Sequence, residues 1–195
     1  LDPPQGIVIM MHKPLGVVCS HKGEGERVYD LLPERFTRRR PQISSIGRLD
    51  RDSSGLLLFT DDGQFLHRVI SPRSHVPKRY RVRLERDLNG EEADLFAAGQ
   101  LVLKGEDTPV GPAMLEVIDP RNARITIHEG RYHQVRRMFA AVGNHVQDLH
   151  REAIGGLMLD DLEPRAWRML QASEMASIMA PNADTCDSST ETGSP

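Results

Sequence analysis

An α+β fold with a mixed or antiparallel sheet is predicted for this chain of 195 residues by three features of its pattern. Short apolar or alternating segments outnumber helical ones, the helical segments fall between them at irregular intervals, and Gly, Pro and Asn cut the strands short. A regular βαβ array would place a helix after every strand, and that order is not present. The length suffices for one large domain or two small lobes with a real core.

Gly6-Ile7-Val8-Ile9-Met10-Met11 is an apolar run of strand character. The turn His12-Lys13-Pro14-Leu15-Gly16 stops it ahead of a second expected strand, Val17-Val18-Cys19-Ser20. His21 to Arg27 is a polar loop, Val28 to Leu32 one helical turn before Pro33, and Arg35 to Pro41 a basic, irregular, exposed stretch. Next comes Gly47-Arg48-Leu49-Asp50-Arg51-Asp52-Ser53-Ser54-Gly55-Leu56-Leu57-Leu58-Phe59-Thr60, which opens with charge, turns, and enters a buried strand. A carboxylate at the rim of such a strand is anchored by packing yet points outward.

Asp61-Asp62-Gly63 caps that strand, and Phe65, Leu66, Val69 and Ile70 fall at helical spacing before Pro72. Lys78 to Leu84 alternates strictly, with Tyr80, Val82 and Leu84 on one face and arginines on the other, a half-buried strand with a positive outer face. Gly90 to Ala98 has helical composition. Leu101 to Leu103, Ala113 to Ile118 and Ala123 to His128 are expected as strands, and Arg131 to Val142 as a helix closed by Gly143-Asn144. Val146 to His150 and Gly156 to Leu159 are further strands, and Ala172 to Met179 a closing helix. From Pro181 the composition of Ser, Thr, Asp and Gly predicts disorder, so residues 1–180 are taken as one domain and 181–195 as a tail.

The composition, 38% apolar and 27% charged, is that of a soluble globular protein. No apolar run approaches the ~20 residues of a membrane span and no signal peptide opens the chain, which predicts a cytoplasmic protein without a membrane partner. Two cysteines, Cys19 and Cys186, are too few for a disulfide framework or a zinc site. The chain lacks an initiating Met and reads as a fragment of a longer protein. The net charge of −3 argues against nucleic acid, but its distribution weakens the objection. Acids crowd between Glu85 and Asp119 and in the tail, while basic residues gather at Arg35 to Arg40, at Lys78 to Arg83 and at Arg131 to Arg137. Such patches are compatible with RNA, although each alone is more often a solvated face.

No H-E-x-x-H, P-loop, G-x-G-x-x-G or Gly-x-Ser-x-Gly occurs. What remains is Asp50 among arginines. Spacing alone favours a surface turn with local ion pairs. The sharper alternative is a carboxylate held ionised by a guanidinium, able to act as nucleophile or base, but periodicity does not identify the arginine.

Gly47-Arg48-Leu49-Asp50 with Ser53-Ser54-Gly55-Leu56-Leu57-Leu58 resembles the signature of the RsuA- and RluA-type pseudouridine synthases. Lys78-Arg79-Tyr80 resembles their second motif, Gly130-Arg131-Tyr132-His133-Gln134-Val135-Arg136-Arg137-Met138 their third, and Lys13-Pro14-Leu15-Gly16 their early Lys-Pro-x-Gly turn. The matches run in order from Ile7 to Leu170. Met138 to Val146, Leu149-His150-Arg151 and Ile154-Gly155-Gly156 are most similar to the RsuA branch. The resemblance implies the catalytic fold of that family, two lobes with a central cleft, and isomerisation of a uridine to pseudouridine in small-subunit (16S) ribosomal RNA. The alternatives kept beside it are action on large-subunit (23S) RNA, a non-catalytic RNA-binding or ribosome-assembly module, and a carboxylate-dependent hydrolase of nucleic acid. It also implies no metal or organic cofactor, a monomer working on ribosomal RNA or an assembly particle, and an S4-type RNA-binding domain that is missing from this chain.

By resemblance Asp50 is the catalytic carboxylate, attacking the nucleoside or promoting elimination, and Arg136 is the arginine paired with it. Tyr80 stacks on the flipped base, unless it is only a core residue of its strand. Arg48 fills the space the uridine leaves, or makes a plain phosphate contact. Lys13, Lys78, Arg131 and Arg137 are expected at backbone phosphates. His133 and Gln134 are expected to hold the helix start or the pocket wall, and Asp52 to point away from Asp50.

Overall fold

The computed structural model describes residues 2–3 and 6–180. The tail expected to be disordered, 181–195, lies outside the described residues. Nine strands form one mixed sheet: β1 (Val8–Lys13), β2 (Ser44–Ile46), β3 (Ser53–Thr60), β4 (Lys78–Leu84), β5 (Met114–Asp119), β6 (Asn122–Ile127), β7 (Val146–Ile154), β8 (Leu157–Met158) and β9 (Trp167–Met169). Their order is β5-β6-β4-β7-β3-β1-β9, with β2 paired to β3 and β8 to β7. Every pairing is antiparallel except β3 with β7. The helices are α1 (Glu34–Thr37), α2 (Gly63–Ile70), α3 (Glu92–Ala97), α4 (Gln134–Ala141) and α5 (Ala172–Ile178).

The continuous apolar runs became the central strands because both faces of the sheet are covered there. Ile9, Met11, Leu57 and Phe59 enter one hydrophobic cluster, while Val8, Met10, Leu56 and Leu58 enter the other. β4 alternates because it is covered on one side: Tyr80, Val82 and Leu84 are buried, whereas Arg81 and Arg83 face water. α2 begins where expected, with the Asp62 carboxylate accepting from the backbone N–H groups of Gln64 and Phe65 at 2.9 and 3.1 Å.

Several local expectations need correction. Val17 to Ser20 is not a strand paired back on β1; Val18 makes an isolated bridge to Arg27, and β1 pairs instead with β3 and β9. Leu101 to Leu103 likewise makes only an isolated bridge, Val102 to Pro109. In the basic stretch, α1 forms because Phe36 is fully buried, edge-on to Trp167 at 5.1 Å. Arg39 from the same stretch is pinned to Asp61 at 2.7 Å. The helix expected from Arg131 starts three residues later, at Gln134, since His133 adopts φ 48° and breaks the helical run. β7 extends beyond His150 to Ile154.

The parallel β3–β7 pairing joins two antiparallel groups and sets one register across three strands. Gly55 of β3 lies opposite Arg151 of β7, which lies opposite Tyr80 of β4. Gly55, at φ 113°, is required: a Cβ there would come within 2.3 Å of the Arg151 carbonyl oxygen. The turn carrying Asp50 enters this junction immediately before β3.

Candidate active site

A pocket of about 430 Å³ opens at this junction. The turn before β3 supplies Arg48 and Asp50, β4 supplies Lys78 and Tyr80, the loop before α4 supplies Arg131 and His133, and β7 supplies Arg151. Five of the eight residues expected in the site therefore line one cavity, from three motifs separated by up to 83 positions in sequence.

Asp50 stands at the rim. Leu49 is buried beside it and its backbone N–H points to the Cys19 sulfur at 3.4 Å, while the Asp50 carbonyl accepts from Ser53 N–H at 3.1 Å. That leaves the carboxylate 34% exposed, with His133 Nε2 at 3.1 Å from Oδ1. The His133 ring is fixed in turn by a parallel stack on Tyr132, 3.8 Å between centroids. His133 thus serves both as the start of α4 and as pocket wall.

Arg136 does not pair with Asp50, contrary to expectation. Its guanidinium donates to the carbonyls of Val146 and Asp52, each at 2.9 Å, and meets the Asp52 carboxylate at 3.2 Å. One turn into α4, its side chain reaches the back of the 50–53 turn rather than the cavity. It holds the turn that presents Asp50, and Asp52 points away from the pocket as expected.

Three of the cations expected at phosphates are committed internally. Lys13 is completely buried, its Nζ donating to the carbonyls of Ser53 and Pro14 at 2.7 and 3.0 Å, and burial pushes its ammonium below the usual lysine range. It cannot meet RNA and acts as a strut under β3. Arg131 and Arg137 both grip the Glu106 carboxylate, and Arg131 also reaches Glu129 at 3.1 Å. They fasten the 104–109 loop to the start of α4, with Arg131 donating to the carbonyls of Thr108 and Pro109 and Arg137 to that of Lys104. Lining the pocket does not free Arg131 for a phosphate.

These bonds hold the Glu106 carboxyl below its ordinary 4.5, Arg131 contributing most and Arg137 next. A depressed carboxyl stabilises the fold in full above its unfolded value and loses that effect as pH falls through the folded one. Glu106→Gln is expected to lower the melting temperature at pH 7 by roughly 1–3 °C. Thermal melts from pH 7 to pH 3 check this: the gap between variant and parent narrows below 4.5.

Arg48 and Lys78 both line the cavity. Arg48 is exposed at the rim and makes no ion pair among the described residues. Lys78 is half-buried, and its ammonium is pushed down to about 8 by burial, then by Arg151, against the pull of Glu129. Tyr80 is 8% exposed and lines the cavity, so it is both core and pocket.

Sequence reasoning overlooked Arg151 as a site residue. It is 2% exposed; its Nε donates to the Leu56 carbonyl at 2.7 Å and its Nη1 to the Tyr80 hydroxyl oxygen at 3.4 Å. The available signal was the alternation Leu149, Arg151, Ala153, which puts an arginine on the inward face of a strand.

The family model described as RNA pseudouridylate synthase matches residues 7–141. Ribosomal small subunit pseudouridine synthase A of Yersinia pestis is 49% identical over 175 residues, covering 89% of this chain and 73% of the relative. The protein of the same name from Vibrio cholerae is 50% identical over 172 residues, 87% of this chain and 73% of the relative. A crystal structure of a pseudouridylate synthase superposes with a TM-score of 0.83 at 42% identity, covering 88% of this chain and 73% of that one.

Proposed function

We infer from one premise, that the chain belongs to the RNA pseudouridylate synthase family, that it isomerises a uridine of small-subunit ribosomal RNA to pseudouridine. The observation that carries the reading is the ionisable Asp50 carboxylate at the rim of a cavity whose interior is formed by Tyr80 and Arg151. Family membership supplies the reaction class, and the named relatives supply the choice of ribosomal subunit.

The reaction detaches N1 of uracil from the ribose C1′, turns the base, and rejoins it through C5. It needs a carboxylate facing C1′, a pocket that holds the detached base, and contacts that keep the nucleotide out of the RNA stack. In this assignment Asp50 is the catalytic carboxylate and Tyr80 the ring against which the base rests. Arg48, free at the rim, occupies the space the uridine vacates. Lys78 takes the adjoining phosphate. Arg136, Lys13, Arg131 and Arg137 are positioning residues: they hold the 50–53 turn, β3 and the 104–109 loop. The residues assigned to the site all come from one chain, which supports action as a monomer, and residues 1–180 are assigned as the catalytic domain. The substrate is ribosomal RNA, free or within an assembly particle, and the proposed compartment is the cytoplasm; no helix among the described residues is long and apolar enough to cross a membrane.

The test is to incubate the protein with unmodified small-subunit and large-subunit ribosomal RNA, with and without ribosomal proteins, and map pseudouridine by carbodiimide treatment and primer extension. One new stop in small-subunit RNA is expected. A stop only in large-subunit RNA moves the substrate, and none in any RNA overturns the reading.

Lys78 gives a pH dependence of known sign. In the free protein burial pushes its ammonium down to about 8, and a phosphate against it favours the protonated form. Binding therefore takes up a proton above that value, so RNA affinity falls as pH rises from 7 to 9. A loss of roughly five- to tenfold beyond the salt effect is expected, and it flattens in Lys78→Arg, whose guanidinium stays charged. Filter binding across that range at constant ionic strength checks it.

A further inference from the structure

Arg151 has a donor that the protein leaves unused. Nε and Nη1 are engaged by Leu56 and Tyr80, whereas Nη2 is buried and has no partner. Buried guanidinium donors are ordinarily satisfied, and no ion pair joins Arg151 to any carboxylate among the described residues. Its position is fixed from both sides by backbone, with Gly55 opposite on β3 and Tyr80 opposite on β4.

We propose that Arg151 is a catalytic residue whose free Nη2 donates to a carbonyl oxygen of the flipped uracil and holds the negative charge which that ring carries while detached from ribose. The inference rests on the isomerase reading and deepens it. Depth in the pocket gives the assignment: Asp50, which acts at C1′, is a third exposed at the rim, Tyr80 is 8% exposed, and Arg151 is 2% exposed. A nucleotide with its ribose at Asp50 must send its base inward, toward Tyr80 and Arg151. When the C1′–N1 bond breaks, its electron pair leaves with the base, and the charge spreads over the ring carbonyls. The new C5–C1′ bond forms with a ring electron pair, C5 gives up its proton and N1 gains one, so the net change is an isomerisation. An arginine already held in place and desolvated lowers the energy of that charged state.

The experiment places uridine, 2-thiouridine or 4-thiouridine at the target position of the RNA, since sulfur accepts hydrogen bonds less well than oxygen. Single-turnover rates are measured for the parent protein and for Arg151→Lys. Arg151→Lys is expected to lower kcat about 100-fold on the uridine RNA with KM within about threefold. One of the two thio-RNAs should slow the parent about tenfold and the variant less than about twofold, because the contact is already gone. Equal sulfur penalties in parent and variant overturn the proposal, since a purely structural arginine would give independent losses. If Arg151→Lys does not fold, the parent decides alone: full speed on both thio-RNAs overturns it, and a loss confined to one supports it. A parent that forms no pseudouridine in the uridine RNA overturns the isomerase reading and this proposal with it, an outcome visible before any variant is compared.

Discussion

Asp50→Asn is expected to abolish pseudouridine formation, lowering the rate by more than about 10³-fold, while RNA affinity stays within about threefold of the parent. The substitution keeps the shape of the side chain and removes its charge. An amide can still accept from the ring nitrogen of His133, which stands 3.1 Å from Oδ1, so the pocket wall is retained. The side chain is 34% exposed and bears none of the core, so melting temperature should change by no more than a degree or two. Single-turnover assays and filter binding on the same preparation separate the two quantities. Matching losses in rate and affinity would assign Asp50 to binding instead, and a rate within tenfold of the parent would remove it from the chemistry.

The second large effect is at Gly55, a residue that touches no substrate. An added Cβ would lie 2.3 Å from the Arg151 carbonyl oxygen, 2.6 Å from its amide nitrogen and 2.9 Å from its carbonyl carbon. All three are backbone atoms of the paired strand, so no side chain can turn aside, and φ 113° is itself unfavourable for any residue with a Cβ. Gly55→Ala is expected to destabilise the fold by more than about 3 kcal/mol and lower the melting temperature by roughly 10 °C. The β3–β7 pairing that must part there also places Asp50 and Arg151 on the same cavity, so activity should fall further than stability explains at temperatures where the variant remains folded. Gly63→Ala, at the start of α2 with nothing within 4 Å of the added carbon, serves as the control and should melt like the parent. Calorimetry of both variants decides the matter; a Gly55→Ala protein melting within two degrees of the parent would mean that the strands separate easily.

How much was legible in sequence varied with how local the cause was. The buried strands β1 and β3, the alternating β4 and the capped helix α2 follow from apolar spacing and one capping aspartate, and all are present. β2 and β9, three residues each, were not foreseen, because neither carries a pattern; each is a strand only through its partner, β3 for one and β1 for the other. Val17 to Ser20 shows the converse, with strand composition and no partner beyond a single bridge.

The site divides in the same way. The motifs named Asp50, Tyr80, Arg48 and Lys78, and all four line the cavity. The partners of the charges were misjudged: His133 rather than Arg136 meets Asp50, Lys13 is sealed under β3, and Arg131 and Arg137 share Glu106. Glu106 lies in a segment without regular pattern, and nothing in its neighbours' spacing points 25 or 31 residues ahead.

By itself the sequence determined the α+β class, through local periodicity, and the family, through its ordered motifs; the resemblance to that family, not periodicity, singled out Asp50 and Tyr80. Only the tertiary structure decided which cation each carboxylate meets and that Arg151 lies at the pocket's interior. Those outcomes depend on the register of β3, β7 and β4, where close backbone approach at Gly55 brings strands nearly 100 residues apart in sequence side by side. A guanidinium's direction follows from the acceptors that surround it after packing, and in a chain taken alone those acceptors are not yet neighbours.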